Sequence, residues 1–157
     1  MLYTKGPSGQ FITAETADII YEASMIYTAC FKRGESLTDP ERAKALIRLK
    51  LVHYTHEVFA CLFLDNQHRV LAFQEMAHGT LDGAAVYPRE VVKAALRFNA
   101  GAVIFAHNHP SGVAEPSQAD WDITEKLIKA LSLIDIRVLD HLVVGETVTS
   151  MAERGML

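Results

Sequence analysis

The chain has 157 residues, half of them hydrophobic, which is enough for one domain with a real core. A formal charge of -4 gives no support to nucleic-acid binding, although it leaves room for a local basic patch. No apolar run reaches the roughly 18 residues of a transmembrane helix, and Met1-Leu2-Tyr3-Thr4-Lys5-Gly6-Pro7 lacks the apolar stretch of a signal peptide, so a cytoplasmic protein without membrane contact is expected.

Residues 1–10 are rich in Gly, Pro and Ser and read as a loose arm. Thr13 is placed to cap a helix over Ala14–Phe31, with Ile19, Ile20, Ala23, Ile26, Tyr27 and Cys30 at helical spacing. Cys30 and Cys61 sit far apart in apolar surroundings, as two reduced thiols do. Lys32-Arg33-Gly34-Glu35-Ser36 is a polar break. Thr38-Asp39-Pro40 then opens a second helix to about Leu51, with Ala43, Leu46, Ile47 and Leu51 as its apolar stripe. The expected division is an N-terminal arm and helix over 1–40, packed on a globular core over 41–157.

Val58–Leu64 is a continuous apolar run, as in a buried strand. Asp65-Asn66-Gln67-His68 is turn chemistry, and Arg69–Met76 returns as the partner strand, so a hairpin is expected with Glu75 near its end. Asp82-Gly83 breaks the chain, and Ala84-Ala85-Val86 reads as a short strand. Pro88 starts a helix to about Phe98 with Val91, Val92, Ala95 and Leu96 inward, and Asn99-Ala100-Gly101 stops it. Ala102–Ala106 is a second buried strand that ends at His107. A helix over 118–133, a strand over Ile136–Val144 and a last strand near 147–151 complete a mixed α/β domain. The strand-loop-helix passage puts the candidate residues at a strand's carboxyl end, where such folds commonly keep their sites.

The chemistry gathers around His107-Asn108-His109-Pro110-Ser111-Gly112. Residues i and i+2 of an extended segment share a face, so His107 and His109 can chelate one ion together. Alone, that pattern reads equally as two surface histidines. Asp120, in the first turn of the following helix, supplies a third ligand and leaves a fourth position for water, the pattern of a catalytic zinc site. Ser117 and Asp120 each admit a second reading, because Ser-x-x-Asp at a helix start is also a capping pattern, with Ser117 as the cap and Asp120 as its helper. A proton acceptor is needed beside such a metal. Glu57, Glu75, Asp65, Asp82, Glu90 and Glu115 all compete for that role on the residues alone. His141 reads as a structural histidine in a strand. The Pro-Cys-x-x-Cys word of a zinc deaminase is absent.

His107-x-His109-Pro110, six residues, Ser117, two residues, Asp120 resembles the JAMM (MPN+) metalloprotease motif at every position. Around it, Glu75-Met76, Tyr87-Pro88-Arg89-Glu90-Val91, Glu115-Pro116-Ser117 and Leu139-Asp140-His141-Leu142-Val143-Val144-Gly145 are similar to RadC-type proteins, over roughly residues 40–157. The resemblance implies an MPN-type α/β fold, a mixed sheet flanked by helices with the layering of cytidine deaminases. It implies one Zn²⁺ held by His107, His109 and Asp120 with water as fourth ligand, Glu75 as general acid–base on that water, and Ser117 steadying the oxyanion. The implied activity is a metallohydrolase cleaving a peptide, isopeptide or other amide bond. A DNA-associated accessory protein or nuclease, or a metal-binding adaptor without catalysis, are the other readings. Longer RadC-type proteins carry a helix-hairpin-helix module that residues 1–40 do not resemble, so a short stand-alone form is expected. No motif sets the substrate or the oligomeric state.

Overall fold

The computed structural model describes residues 3–5, 8–16, 19, 22–23, 33–79 and 86–157. The helix expected over 14–31 falls mostly outside them, as do Cys30 and the expected strand at Ala84-Ala85. Thr16, Ile19, Glu22 and Ala23 are described and helical. The arm expected to be loose instead contains a strand, β1 (Tyr3–Lys5), paired antiparallel with β2 (Phe11–Thr13). Gly9, at φ +84°, turns the chain between them, a conformation that glycine enters without steric penalty.

α1 spans Pro40–Leu51. Asp39 caps it by accepting from the Glu41 N–H at 3.0 Å, and Pro40 sits where no intrahelical N–H bond is required. Its buried residues are Ala43, Leu46, Ile47 and Leu51, the stripe expected from the spacing.

A five-stranded sheet follows. β3 (Val58–Leu64) and β4 (Val70–His78) form the hairpin, β5 (Ala102–Asn108) pairs antiparallel with β3, and β6 (Arg137–Val144) lies parallel to β5. β7 (Val148–Ser150) closes the order β4-β3-β5-β6-β7. β3 and β5 are buried along their whole length, which is why their sequences run apolar without alternation. α2 (Pro88–Arg97) precedes β5, and α3 (Gln118–Ser132) connects β5 to β6.

The three helices flank the sheet in layers. On one face α1 packs on Val58, Ala60, Leu62, Ala102, Ile104 and Ala106. On the other, α2 and α3 pack on Phe59, Cys61, Phe63, Val103 and Phe105. Each fully buried Leu, Ile or Phe in these layers contributes on the order of 1.5–3 kcal/mol. α2 departs from expectation. Its buried residues are Val91, Ala94 and Ala95, whereas Leu96 is exposed. The helical phase fixes which positions face the sheet, and it overrides side-chain size. Asn99, at φ +54°, ends α2, with the Asn99 and Ala100 amides donating to the Leu96 and Ala95 carbonyls. Among the described residues, no helix is long and apolar enough to cross a membrane.

Candidate metal centre

β5 and α3 meet at the carboxyl end of the sheet. β5 delivers His107 on the face covered by α3, since Phe105 and Val103 share that face and pack in the same cluster. The His109 N–H then donates to the Val144 carbonyl at 2.8 Å, extending the β5–β6 pairing by one residue. A turn follows, closed by the Gly112 N–H on the His109 carbonyl at 3.0 Å. Gly112 has φ +85°, a left-handed conformation, and its carbonyl accepts from the Glu146 N–H at 2.7 Å. Gly145 lies against this turn so closely that a Cβ there would meet the Gly112 oxygen at 2.2 Å. The histidine loop is therefore braced by the β6–β7 turn.

Ser117 caps α3. Its Oγ accepts from the Asp120 N–H at 3.2 Å, while its own N–H and O–H both donate to Asp120 Oδ2 at 2.7 Å. Both cap bonds end on one carboxylate oxygen. The other, Oδ1, is buried and has no hydrogen-bond partner.

The three expected ligands converge. His107 Nε2 lies 3.0 Å from His109 Nε2 and 3.1 Å from Asp120 Oδ1, and His109 Nε2 lies 3.6 Å from Asp120 Oδ2. Zinc at about 2.0–2.1 Å from each donor in a tetrahedral site separates those donors by about 3.3 Å. His109 Nδ1 donates to the Val113 carbonyl at 2.7 Å, which leaves the Nε2 lone pair of the neutral ring directed at the cluster. A buried carboxylate oxygen without a donor, beside facing imidazole nitrogens, fits a divalent cation. Among the described residues, His107, His109 and Asp120 are the one group of this kind.

The electrostatics agree. Burial alone would raise the Asp120 pKa, yet the facing His107 and His109 rings, joined by the Ser117 hydroxyl, hold it well below the usual carboxylate range. The facing Asp120 carboxylate raises the pKa of His109 against the opposing effect of burial, and the Val113 carbonyl and the charges of Asp120 and Glu57 add to it.

Glu75 takes the other face of the sheet. It pairs with Ala60 and so shares the sheet face covered by α1, opposite to that of His107. There it accepts from Tyr54 Oη at 2.6 Å and lies 3.2 Å from His78 Nε2. Nor is it at the strand's end, since β4 continues to His78. Glu57 stands differently. Phe59 pairs with His107, and the alternation of β3 carried one step back sets Glu57 on the Phe59 face, toward His109. Asn108 holds this segment in place. Its Oδ1 accepts from the Val58 N–H at 2.8 Å, and its Nδ2 donates to the His56 carbonyl at 2.9 Å. On the residues alone Glu57 is one of six candidate carboxylates, and the β3–β5 register supplies its sheet face.

His141 is buried in β6, with its Nε2 at 2.8 Å from His107 Nδ1. Burial lowers its pKa well below the ordinary imidazole value, with the nearby His107 adding to the effect. Two hollows flank the centre. One of about 310 Å³ is lined by Arg48, Tyr54, His109 and Glu146, and one of about 350 Å³ by Pro116, Ser117 and Trp121.

Comparison with known proteins agrees with this geometry. The RadC-like JAB domain family matches residues 37–156. The chain belongs to that family. The RadC-like JAB domain takes in all three layers and the whole metal centre, and the JAB-domain family includes metallohydrolases. A UPF0758 protein of Vibrio cholerae is 58% identical over 139 residues, 88% of this chain and 88% of that relative. A second from the same organism is 56% identical over 140 residues, 89% of each. A UPF0758 protein of Nitrosococcus oceani is 62% identical over 127 residues, 80% of this chain, and there the RadC-like chain spans 57% of the relative's length. These names carry no activity.

Proposed function

We propose that the protein is a zinc-dependent hydrolase of the JAMM type that cleaves a peptide, isopeptide or other amide bond. The observation that supports it most is the convergence of His107 Nε2, His109 Nε2 and the unpartnered Asp120 Oδ1. Bound there, zinc supplies Lewis acidity that polarises a carbonyl and makes water acidic near neutral pH.

The chain's own groups do the remaining work. Glu57 is the carboxylate on the face of the ligands, and we assign it the proton: taken from the attacking water and given to the leaving amine. The resemblance implies Glu75 for this role. Its position supports a different one, since its bond to Tyr54 steadies the segment that leads to Glu57. Ser117 orients Asp120 by engaging Oδ2. To steady an oxyanion, its hydroxyl would first have to leave that oxygen.

The test is turnover by the zinc-loaded protein on a panel of peptides and isopeptide-linked conjugates, with Glu57→Gln and Glu75→Gln in parallel. Glu57→Gln is expected to keep its zinc and lose about 10²–10⁴ in kcat. Loss in Glu75→Gln with full turnover in Glu57→Gln would return the role to Glu75. Full turnover in both variants would overturn general acid–base catalysis by either.

A further inference from the structure

The metal centre is continuous with a buried chain of hydrogen bonds that ligation itself does not require. It starts at the backbone carbonyl of Asp120, which can only accept. Thr124 Oγ1 donates to it at 2.5 Å, as a helical Thr often does to the carbonyl four residues back. A hydroxyl has one proton, so Oγ1 must accept at its second contact, His141 Nδ1 at 2.5 Å. A neutral imidazole has one N–H. With that proton on Nδ1, His141 Nε2 accepts, and its partner at 2.8 Å is His107 Nδ1. His107 therefore carries its own proton on Nδ1, and its Nε2 lone pair faces His109 and Asp120.

From these contacts we infer that Thr124 and His141 are positioning residues that set the tautomer and ring plane of His107. The inference rests on the proposed metal centre and adds how one of its ligands is held ready. Each step is fixed by the one before, and each is out of reach of water: Thr124 is 1% exposed, and His107 and His141 are 0% exposed. No solvent molecule can take over for a missing member. Phe59 and Phe105 stand edge-on to the His141 ring at 5.5 and 5.9 Å between centroids, which prevents it from turning away. Asp140 anchors the strand beneath: its carboxylate accepts from the His141 and Ala152 amides and from Ser150 Oγ. The relay starts on one ligand residue, Asp120, and ends on another, His107.

Removing the Thr124 hydroxyl reverses the logic. In Thr124→Val the proton on His141 Nδ1 loses its acceptor, and the ring is better served with its proton on Nε2, where it donates to His107 Nδ1. That moves the His107 proton to Nε2, onto the atom that should bind the metal. Thr124→Ser keeps the hydroxyl and should keep the relay.

The experiment has two readouts besides activity. Zinc affinity is measured by competition with a chromogenic chelator. Histidine tautomers are read from ¹⁵N chemical shifts of the metal-free protein at a pH where the His107 ring is neutral. Thr124→Val is expected to lose about 10–100-fold in zinc affinity, the usual effect of removing a group that orients a ligand. Its His107 proton should move from Nδ1 to Nε2, while Thr124→Ser stays within about threefold of the parent with the parent tautomer. Should Thr124→Val fail to fold, His141→Phe carries the same affinity test, because it also strips His107 Nδ1 of its acceptor. Parent-like affinity in a folded Thr124→Val with the His107 proton still on Nδ1 would overturn the relay. Failure of the parent itself to bind zinc would refute the metal centre instead, and the tautomer readout would still judge the relay.

Discussion

Gly145→Ala tests whether the β6–β7 turn holds the histidine loop in place. A Cβ at 145 would meet the Gly112 oxygen at 2.2 Å, the Gly112 carbon at 2.7 Å and the Ala114 nitrogen at 2.9 Å. Ordinary contact begins at 3.4 Å, so the backbone at Gly112 must move by about 1.2 Å. All three obstacles are backbone, so no side chain can swing away. Val113 lies between the two displaced residues, and its carbonyl holds His109 Nδ1 at 2.7 Å. A zinc site tolerates donor shifts of only about 0.2 Å. Zinc affinity should therefore fall by about 10–100-fold, as when the support of a ligand is removed. Crowding of this kind costs about 1–3 kcal/mol of stability, which leaves the domain folded. Competition titration with a chelator reads the first quantity, and a thermal melt reads the second. Unchanged zinc affinity and an unchanged melt in Gly145→Ala would refute the bracing argument.

Ser117→Ala removes the cap of α3 and should lower stability by about 1 kcal/mol, or about 2–4 °C in Tm. It also separates two roles: weakened zinc binding marks Ser117 as the support of Asp120, whereas reduced kcat at saturating zinc marks it as an oxyanion donor. The metal-free protein should show a pH optimum of stability. His109 has a raised pKa, so its contribution is full below about 6.5 and is lost as pH rises through the folded value. Asp120 has a lowered pKa, so its contribution is present above about 3.9 and is lost as pH falls toward the folded value. His141, with its lowered pKa, adds stability as pH rises through about 6.5, so the His109 contribution is read as the difference between the parent and His109→Ala melts in chelator, which should shrink as pH climbs from about 6.5 toward 8. With zinc present the trend should reverse, because binding needs the deprotonated ring. A parent-minus-variant difference in chelator that grows steadily over that interval would contradict the pairing.

Much of this arrangement was legible in the residues. The unbroken apolar runs of β3 and β5 identified the central strands, and Ala43, Leu46, Ile47 and Leu51 gave the buried face of α1. His107, His109 and Asp120 were readable because a strand end and the next helix start are local in sequence. Glu57 and Glu75 could not be separated that way. Which face a carboxylate takes depends on strand register, and β4 has a register shift beside the Ala60–Glu75 pair. The relay was hidden for a similar reason. Thr124 and His141 are 17 residues apart and meet only because β6 lies beside β5 beneath α3. In α2, the spacing of Val91, Val92, Ala95 and Leu96 suggested an inward face, whereas Val91, Ala94 and Ala95 are the buried residues. The two sets differ only by a small angle around the helix axis, which the residues alone do not fix.

The central claim is that His107, His109 and Asp120 hold one zinc ion. Elemental analysis after reconstitution and removal of free metal tests it directly, with His109→Ala as the comparison. One zinc per parent chain is expected, and none in a His109→Ala chain that is still folded by its melt. A parent that retains no zinc, or a His109→Ala chain that retains a full equivalent, would contradict it.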